Sequence, residues 1–217
     1  MKRQSRIYFC TALGLLGAFI LWTIAIKWID VQAIGAQGSR VGFAALNRSI
    51  HNVTGVHMSL YTITDWLSLV PLGFVLGFAI LGLVQWIKRK NLFAVDRSIL
   101  VLGGFYVVVM AVYVFFELYA VNYRPVLIEG VLEASYPSST TMLVMCVMPT
   151  AMMQLYARIK TPALRRCVMF LLAAFTAFMV IARLVSGVHW FTDIVGGALL
   201  SAGLVMMYAS ASGLKLT

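Results

Sequence analysis

Six apolar runs, each about long enough to cross a lipid bilayer, dominate this chain: about 7–28, 66–87, 98–117, 141–157, 167–185 and 190–210. A hydrocarbon core of about 30 Å takes roughly 20 residues of helix at 1.5 Å per residue. Inside it no water bonds exposed N–H and C=O groups, and a helix satisfies its backbone within one segment. The 217 residues are 62% hydrophobic and 11% charged, with mean hydropathy +0.93. A water-soluble domain of this size has no interior large enough for that surface. The chain therefore reads as all-α: a polytopic membrane protein, six transmembrane helices in one bundle, a single domain over 1–217. It shows no internal repeat, low-complexity tract or linker.

The first run follows the basic segment MKRQSR, as in a signal peptide. It extends to about Ile26, beyond the roughly 7–15 residues of a signal's apolar region, so it reads as a retained span. The net charge of +10 does not point to nucleic acid, because no basic-aromatic stripe or binding motif accompanies it. Instead the basic residues flank spans. Lys2, Arg3 and Arg6 precede the first, and Lys88, Arg89, Lys90 and Arg97 join the second and third. Arg158, Lys160, Arg165 and Arg166 join the fourth and fifth, and Lys215 follows the last. With six spans these segments share one side, the cytoplasm by the positive-inside rule. The other side receives residues 29–65, 118–140 and a short turn near 186–189. Within the first of these, VGFAALNRSI reads as one or two turns of interfacial amphipathic helix. Cys10, Cys146 and Cys167 lie in apolar surroundings without metal or C-x-x-C spacing and read as packed thiols. Gly196, Gly197 and Ser201 read as a small-residue packing face.

The informative residues are ionisable groups gathered on the outer side. Arg124 and Arg183 sit at the outer ends of spans three and five, and His189 and Asp193 at the start of span six. In RLVSGVHWFTD (183–193), His189 and Asp193 are four apart and share a face if helical. A carboxylate there fixes the imidazole tautomer and leaves the second nitrogen free as base or nucleophile. Gly187 breaks the preceding helix, and an Arg fork matches phosphate. This set suggests phosphoryl chemistry; the alternative is a structural ion-pair network. Upstream, YPSSTTML (136–143) reads as a capped helix start, with Pro137 in the first turn and Ser138 and Ser139 capping. Free N–H groups at such a start attract anions.

Together, these segments resemble the type 2 phosphatidic acid phosphatase and haloperoxidase superfamily, in its membrane lipid phosphatase branch. The family signature is K-x6-R-P, then P-S-G-H, then S-R-x5-H-x3-D. Here the parts read E-x6-R-P (Glu117 to Pro125), P-S-S-T (Pro137 to Thr140) and A-R-x5-H-x3-D (Ala182 to Asp193). The resemblance implies an outer-face active site without metal or other cofactor. In it Arg124 and Arg183 clamp phosphate, Ser138 and the Ser139 N–H add hydrogen bonds, His189 forms a phosphohistidine and Asp193 orients it. Three positions depart. Glu117 replaces a phosphate-binding lysine, Thr140 a histidine that protonates the leaving oxygen, and Ala182 a serine. Loss of a general acid typically costs about 10²–10⁴-fold in rate. Glu117 itself is one replacement, and His51 or His57, folded over the pocket, are others.

The leading expectation is a lipid phosphatase, with Glu117 and Thr140 weakening catalysis. Its substrate is a lipid phosphate: a polyprenyl (di)phosphate, phosphatidic acid or phosphatidylglycerol phosphate. The expected setting is a bacterial inner membrane with the site on the extracytoplasmic side. The alternative is a catalytically impaired or non-enzymatic binder or transporter of phospholipid-like anions. An ion channel or proton-coupled carrier fits less well, since the span interiors carry almost no ionisable residues. The sequence leaves the oligomeric state open.

Overall fold

The computed structural model describes residues 3–215; Lys2, at the basic N-terminus, lies outside them. Six candidate membrane spans are present. The first is α1 (Arg3–Trp28). A small hairpin follows, β1 (Gln32–Ala33) antiparallel to β2 (Arg40–Val41), then α2 (Ala44–Thr54). The second span joins α3 (Met58–Leu67) to α4 (Leu69–Arg89), with Ser68 between them still near helical dihedrals. The remaining spans are α5 (Arg97–Leu118), α6 (Ser139–Arg158), α7 (Pro162–Val185) and α8 (Phe191–Ser212).

Two boundaries differ from the sequence reading. The second span starts at Met58, not near 66, because MSLYTITDWL is helical despite its mixed polarity and has no Gly or Pro to stop it. α7 starts at Pro162, with Thr161 as N-cap, five residues before the strictly apolar run.

α6 and α8 form the centre. In their spans 61% and 50% of the apolar stretch is buried, against 11–22% in the other four. Those four turn apolar side chains outward, where lipid must cover them. The contact between α6 and α8 is built from small residues, as expected. A Cβ on Gly197 would meet Thr141 and the Ser138 carbonyl at 3.2–3.3 Å, and Ser201 Oγ donates to the Met142 carbonyl at 3.4 Å. Gly196 lies under the Tyr136 ring. That ring stacks on Phe19, meets Phe116 edge-on, and its hydroxyl bonds Thr23 Oγ1 at 2.7 Å.

At one end Ser5 Oγ donates to the Ser210 carbonyl at 2.8 Å, and Asp96 pairs with Arg89 (3.0 Å) and Arg158 (3.8 Å). The basic loops thus lie together at this end. At the other end α2 is the expected amphipathic helix, longer than two turns. It docks on the start of α8: Asn47 Nδ2 donates to Thr192 Oγ1 at 3.0 Å, and its Oδ1 accepts from the Thr192 N–H at 3.2 Å.

The packing of Gly196 is directly testable. An added Cβ would sit 2.3–2.7 Å from Tyr136 ring atoms, and that ring is held on three sides. Gly196→Ala is expected to cost about 1–3 kcal/mol, as overpacking does, and to lower the unfolding midpoint in detergent by several degrees. Gly104→Ala, with nothing within 4 Å, is the control and should leave the midpoint in place.

Candidate active site

Three segments converge at the end of the bundle opposite the basic loops: the turn between α7 and α8, the loop before α6, and the first turns of α3. Residues 119–138 fold as a narrow irregular hairpin. Arg124 N–H donates to the Glu133 carbonyl (3.1 Å), Ser135 N–H to the Asn122 carbonyl (2.9 Å), and Ser138 N–H to the Asp193 carbonyl (3.1 Å). Trp190 Nε1 donates to the Tyr123 carbonyl at 2.8 Å, tying this hairpin to the other turn.

His189 is the centre. It lies just ahead of α8, in a turn where Gly187 has a φ of +70°. A Cβ on Gly187 would approach the Gly55 carbonyl to 1.9 Å, so both the dihedral and the contact require glycine. The end of α2 and the residues after it brace this turn. His51 Nε2 bonds the Gly187 carbonyl (3.1 Å) and His57 N–H donates to the Ser186 carbonyl (3.0 Å). His57 Nε2 turns to the Thr54 carbonyl at 2.8 Å. Each of these rings is thus bonded to a backbone carbonyl, Gly187 in the turn or Thr54 in α2, rather than folded over the pocket.

The neighbours of His189 fix its tautomer. Nδ1 lies 3.1 Å from the Ser135 carbonyl, which can only accept, and 3.2 Å from Ser135 Oγ. That hydroxyl gives its own proton to Asp193 Oδ2. Nδ1 therefore carries the ring proton. Nε2 faces Arg124 Nη1 at 3.5 Å, and a guanidinium can only donate, so Nε2 holds the lone pair. Burial holds the imidazole pKa well below its ordinary 6.5, and the charges of Arg124 and Arg183 lower it further.

Asp193 is placed differently from the sequence expectation. Its Oδ2 is 3.9 Å from His189 Nδ1, too far for a hydrogen bond, and Ser135 stands between them. The carboxylate accepts instead from the Trp190 N–H (2.9 Å) and Asn122 Nδ2 (3.2 Å). α8 begins at Phe191, so His189 is not helical and the four-residue spacing does not set a shared face.

The two arginines meet around Tyr61. The Arg183 guanidinium is 4.6 Å from the ring centroid and that of Arg124 5.9 Å. Arg183, only 2% exposed, donates to Thr64 Oγ1 (3.1 Å) and sits 3.9 Å from Asp65, while its Nε has no hydrogen-bond partner. Arg124 Nε lies 3.0 Å from Glu133 Oε2, though the angle is poor for a hydrogen bond.

A family profile described as the PAP2 superfamily matches residues 104–214, a stretch that holds Arg124, Arg183 and His189. The chain belongs to the PAP2 superfamily. Its fold is similar to a solved structure described as the first transmembrane PAP2 type phosphatidylglycerolphosphate phosphatase from Bacillus subtilis. Identity to that protein is 18%, with 92% of this chain and 93% of that chain covered and a TM-score of 0.55. No curated protein sequence matches.

The remaining PAP2 motif positions divide between wall and structure. Ser138 is the N-cap of α6 and fully buried; its Oγ accepts from the Thr141 hydroxyl (3.1 Å) and N–H (3.5 Å), facing into the helix rather than the cavity. Pro137 precedes the cap instead of occupying the first turn. Ser139 lines an outer cavity of about 750 Å³ with Arg124, Glu117 and Glu133. It also lines a small space with Glu117, Ser135 and His189. Thr140 borders a different opening, a groove of about 240 Å³ shared with Asp65, Ser68, Leu72 and Met110. Ala182, where the family has serine, is buried behind Arg183. Among the described residues, no three His, Cys, Asp or Glu side chains gather as a metal site.

Ser135, Asn122, Glu133, Tyr61, Thr64 and Asp65 escaped the sequence reading as site residues. Asp65 and Tyr61 sit in the helical extension read as loop. Ser135 adjoins YPSSTTML, but no local pattern marks its carbonyl as a ring acceptor.

The geometry sets how His189 titrates. Its ring should stay neutral, with the proton on Nδ1, well below pH 6.5 in imidazole ¹⁵N spectra. Arg124→Gln, which removes a nearby positive charge, should move protonation to higher pH. A wild-type ring that titrates near 6.5 would contradict the enclosure described here.

Proposed function

We propose that this protein is a membrane lipid phosphatase that transfers phosphate from a lipid phosphate to His189 and then to water, at the extracytoplasmic rim of the membrane. The observation that carries this reading is the imidazole: Nδ1–H tied to the Ser135 carbonyl, and the Nε2 lone pair directed toward Arg124.

Nε2 attacks phosphorus, the bond from phosphorus to the lipid oxygen breaks, and a phosphohistidine forms. Arg124 and Arg183 balance charge on the phosphoryl oxygens, and the Nε of Arg183 is a buried donor without a partner in the protein. The Ser139 hydroxyl and the free N–H groups of the first α6 turn add hydrogen bonds. As positive charge develops on the ring, Ser135 Oγ relays the field of Asp193 to Nδ1. Water then attacks phosphorus, the P–N bond breaks, and inorganic phosphate leaves.

Lipid chemistry is supported by where the site lies. The groove beside Ser139 and Thr140 is walled by Leu72, Val109, Met110 and Leu143 between spans two, three and four, so an acyl or prenyl tail can remain in an apolar setting. Polyprenyl (di)phosphates, phosphatidic acid and phosphatidylglycerol phosphate share the required phosphate head and apolar tail. The extracytoplasmic placement, in a bacterial inner membrane, is supported by the basic loops gathered at the opposite end.

Phosphate release from these lipids in vesicles tests the reading. His189→Ala should lower release by roughly 10³-fold or more. Arg183→Gln should lower it by about 10²–10³-fold, as loss of a charge-stabilising donor does. Release that survives His189→Ala refutes the nucleophile. Binding of lipid phosphates without release from any of them favours a non-catalytic binder or transporter.

A further inference from the structure

Among the described residues, the motif histidine that supplies the leaving-group proton has no direct substitute in kind. Thr140 replaces it and borders the groove on the Asp65 side, while His51 and His57 bond backbone carbonyls of the outer brace. A threonine hydroxyl is far too weak an acid to take the role. Tyrosines also line the pocket, Tyr113 in both spaces and Tyr123 in the outer one, but a phenol is ordinarily a weaker acid than a carboxyl by several orders of magnitude, so carboxyls are the stronger candidates. Asp193 is enclosed by Ser135, Asn122 and the Trp190 N–H, behind the imidazole. Glu133 is committed to Arg124 at 3.0 Å, and Asp65 faces Arg183 at 3.9 Å.

Glu117 differs from these three. Among the described residues it has no Lys, Arg or His within ion-pair distance. It lines the outer cavity beside Arg124 and Ser139, and it also lines the small space that touches His189, Ser135 and Ser139. That space is about 10 Å³, close to the minimum that admits one water. One carboxyl thus borders both the way in for substrate and a water-sized gap beside the nucleophile.

We propose that Glu117 is the acid and base of the reaction, an assignment that rests on the phosphatase reading above. In the first half, His189 Nε2 bonds phosphorus, the phosphorus–oxygen bond to the lipid breaks, and the departing alkoxide takes the proton of the Glu117 carboxyl. The lipid alcohol leaves, and Glu117 is now a carboxylate. In the second half, a water attacks phosphorus while Glu117 takes one of its protons. The P–N bond breaks, its electron pair returns to Nε2, and phosphate departs. The carboxyl is again protonated, so the cycle closes without a further reagent. Glutamate at a position where relatives carry lysine then gives up a phosphate contact and supplies the missing proton transfer.

The test compares wild type with Glu117→Gln on two esters that share an alkyl chain: a long-chain alkyl phosphate and an alkyl-substituted 4-nitrophenyl phosphate. A nitrophenolate leaves without a proton, whereas an alkoxide does not. Turnover of the alkyl phosphate should fall by roughly 10²–10⁴-fold in the variant. The nitrophenyl ester should instead give a burst of about one nitrophenol per enzyme, then stall. The stalled protein should carry acid-labile, base-stable phosphate that His189→Ala does not accumulate. Equal losses on both esters without a burst would make Glu117 a structural residue, and no loss on either would make it a bystander; both overturn the assignment and leave the phosphatase reading intact. Failure of the wild type to cleave either ester removes that reading and this assignment with it.

Discussion

The hydrogen bond from His189 Nδ1 to the Ser135 carbonyl is the contact on which the site depends. It selects one tautomer, and with it leaves the lone pair on Nε2, facing Arg124. A backbone carbonyl cannot rotate away or change protonation, so this acceptor is firmer than a side chain would be. Its position depends on the hairpin of residues 119–138, which the Ser138–Asp193 backbone bond and the Trp190 indole attach to the start of α8. From the opposite side, α2 and the residues after it hold the turn through Asn47, His51 and His57. The imidazole is therefore gripped between two outer segments that cross no membrane, above two helices that form the protein's centre.

Much of this was legible in the sequence because membranes simplify the problem. Long apolar runs give helices, and basic loops give their direction. Arg183 and His189 stand out because they sit at span ends away from the basic loops, and Arg124 because it precedes a proline at the right spacing. What could not be read were relations made by tertiary contact. Ser135 lies 54 residues from His189 and shows its importance only through a carbonyl. The expected direct bond between His189 and Asp193 failed for a local reason: the helix starts after the histidine, so helical spacing does not govern the pair. The extension of the second span to Met58 was hidden by its mixed polarity, and with it went Tyr61, Thr64 and Asp65. The two motif serines also separate only in three dimensions, one as a buried cap and one as cavity wall.

Charge at the rim is balanced more tightly than the motif alone suggests. Two guanidinium groups share Tyr61, and each has a carboxylate beside it: Glu133 for Arg124, Asp65 for Arg183. These partners lower the cost of holding two like charges close together in a partly dry place. They also orient the forks before any ligand arrives. The imidazole beside them keeps its proton on Nδ1 and its electron pair on Nε2.

The joined α3 and α4 extend this dependence to the bilayer itself. Together they make a helical stretch of 32 residues, where a hydrocarbon layer of about 30 Å takes roughly 20. The projecting end carries Tyr61, Thr64 and Asp65, the residues that surround Arg183. Tyr61 lies under the Arg183 guanidinium, Thr64 accepts from it and Asp65 faces it, all from the same helix that continues into the apolar run. The surroundings of that guanidinium therefore belong to a membrane-spanning helix and not to a loop laid over the site.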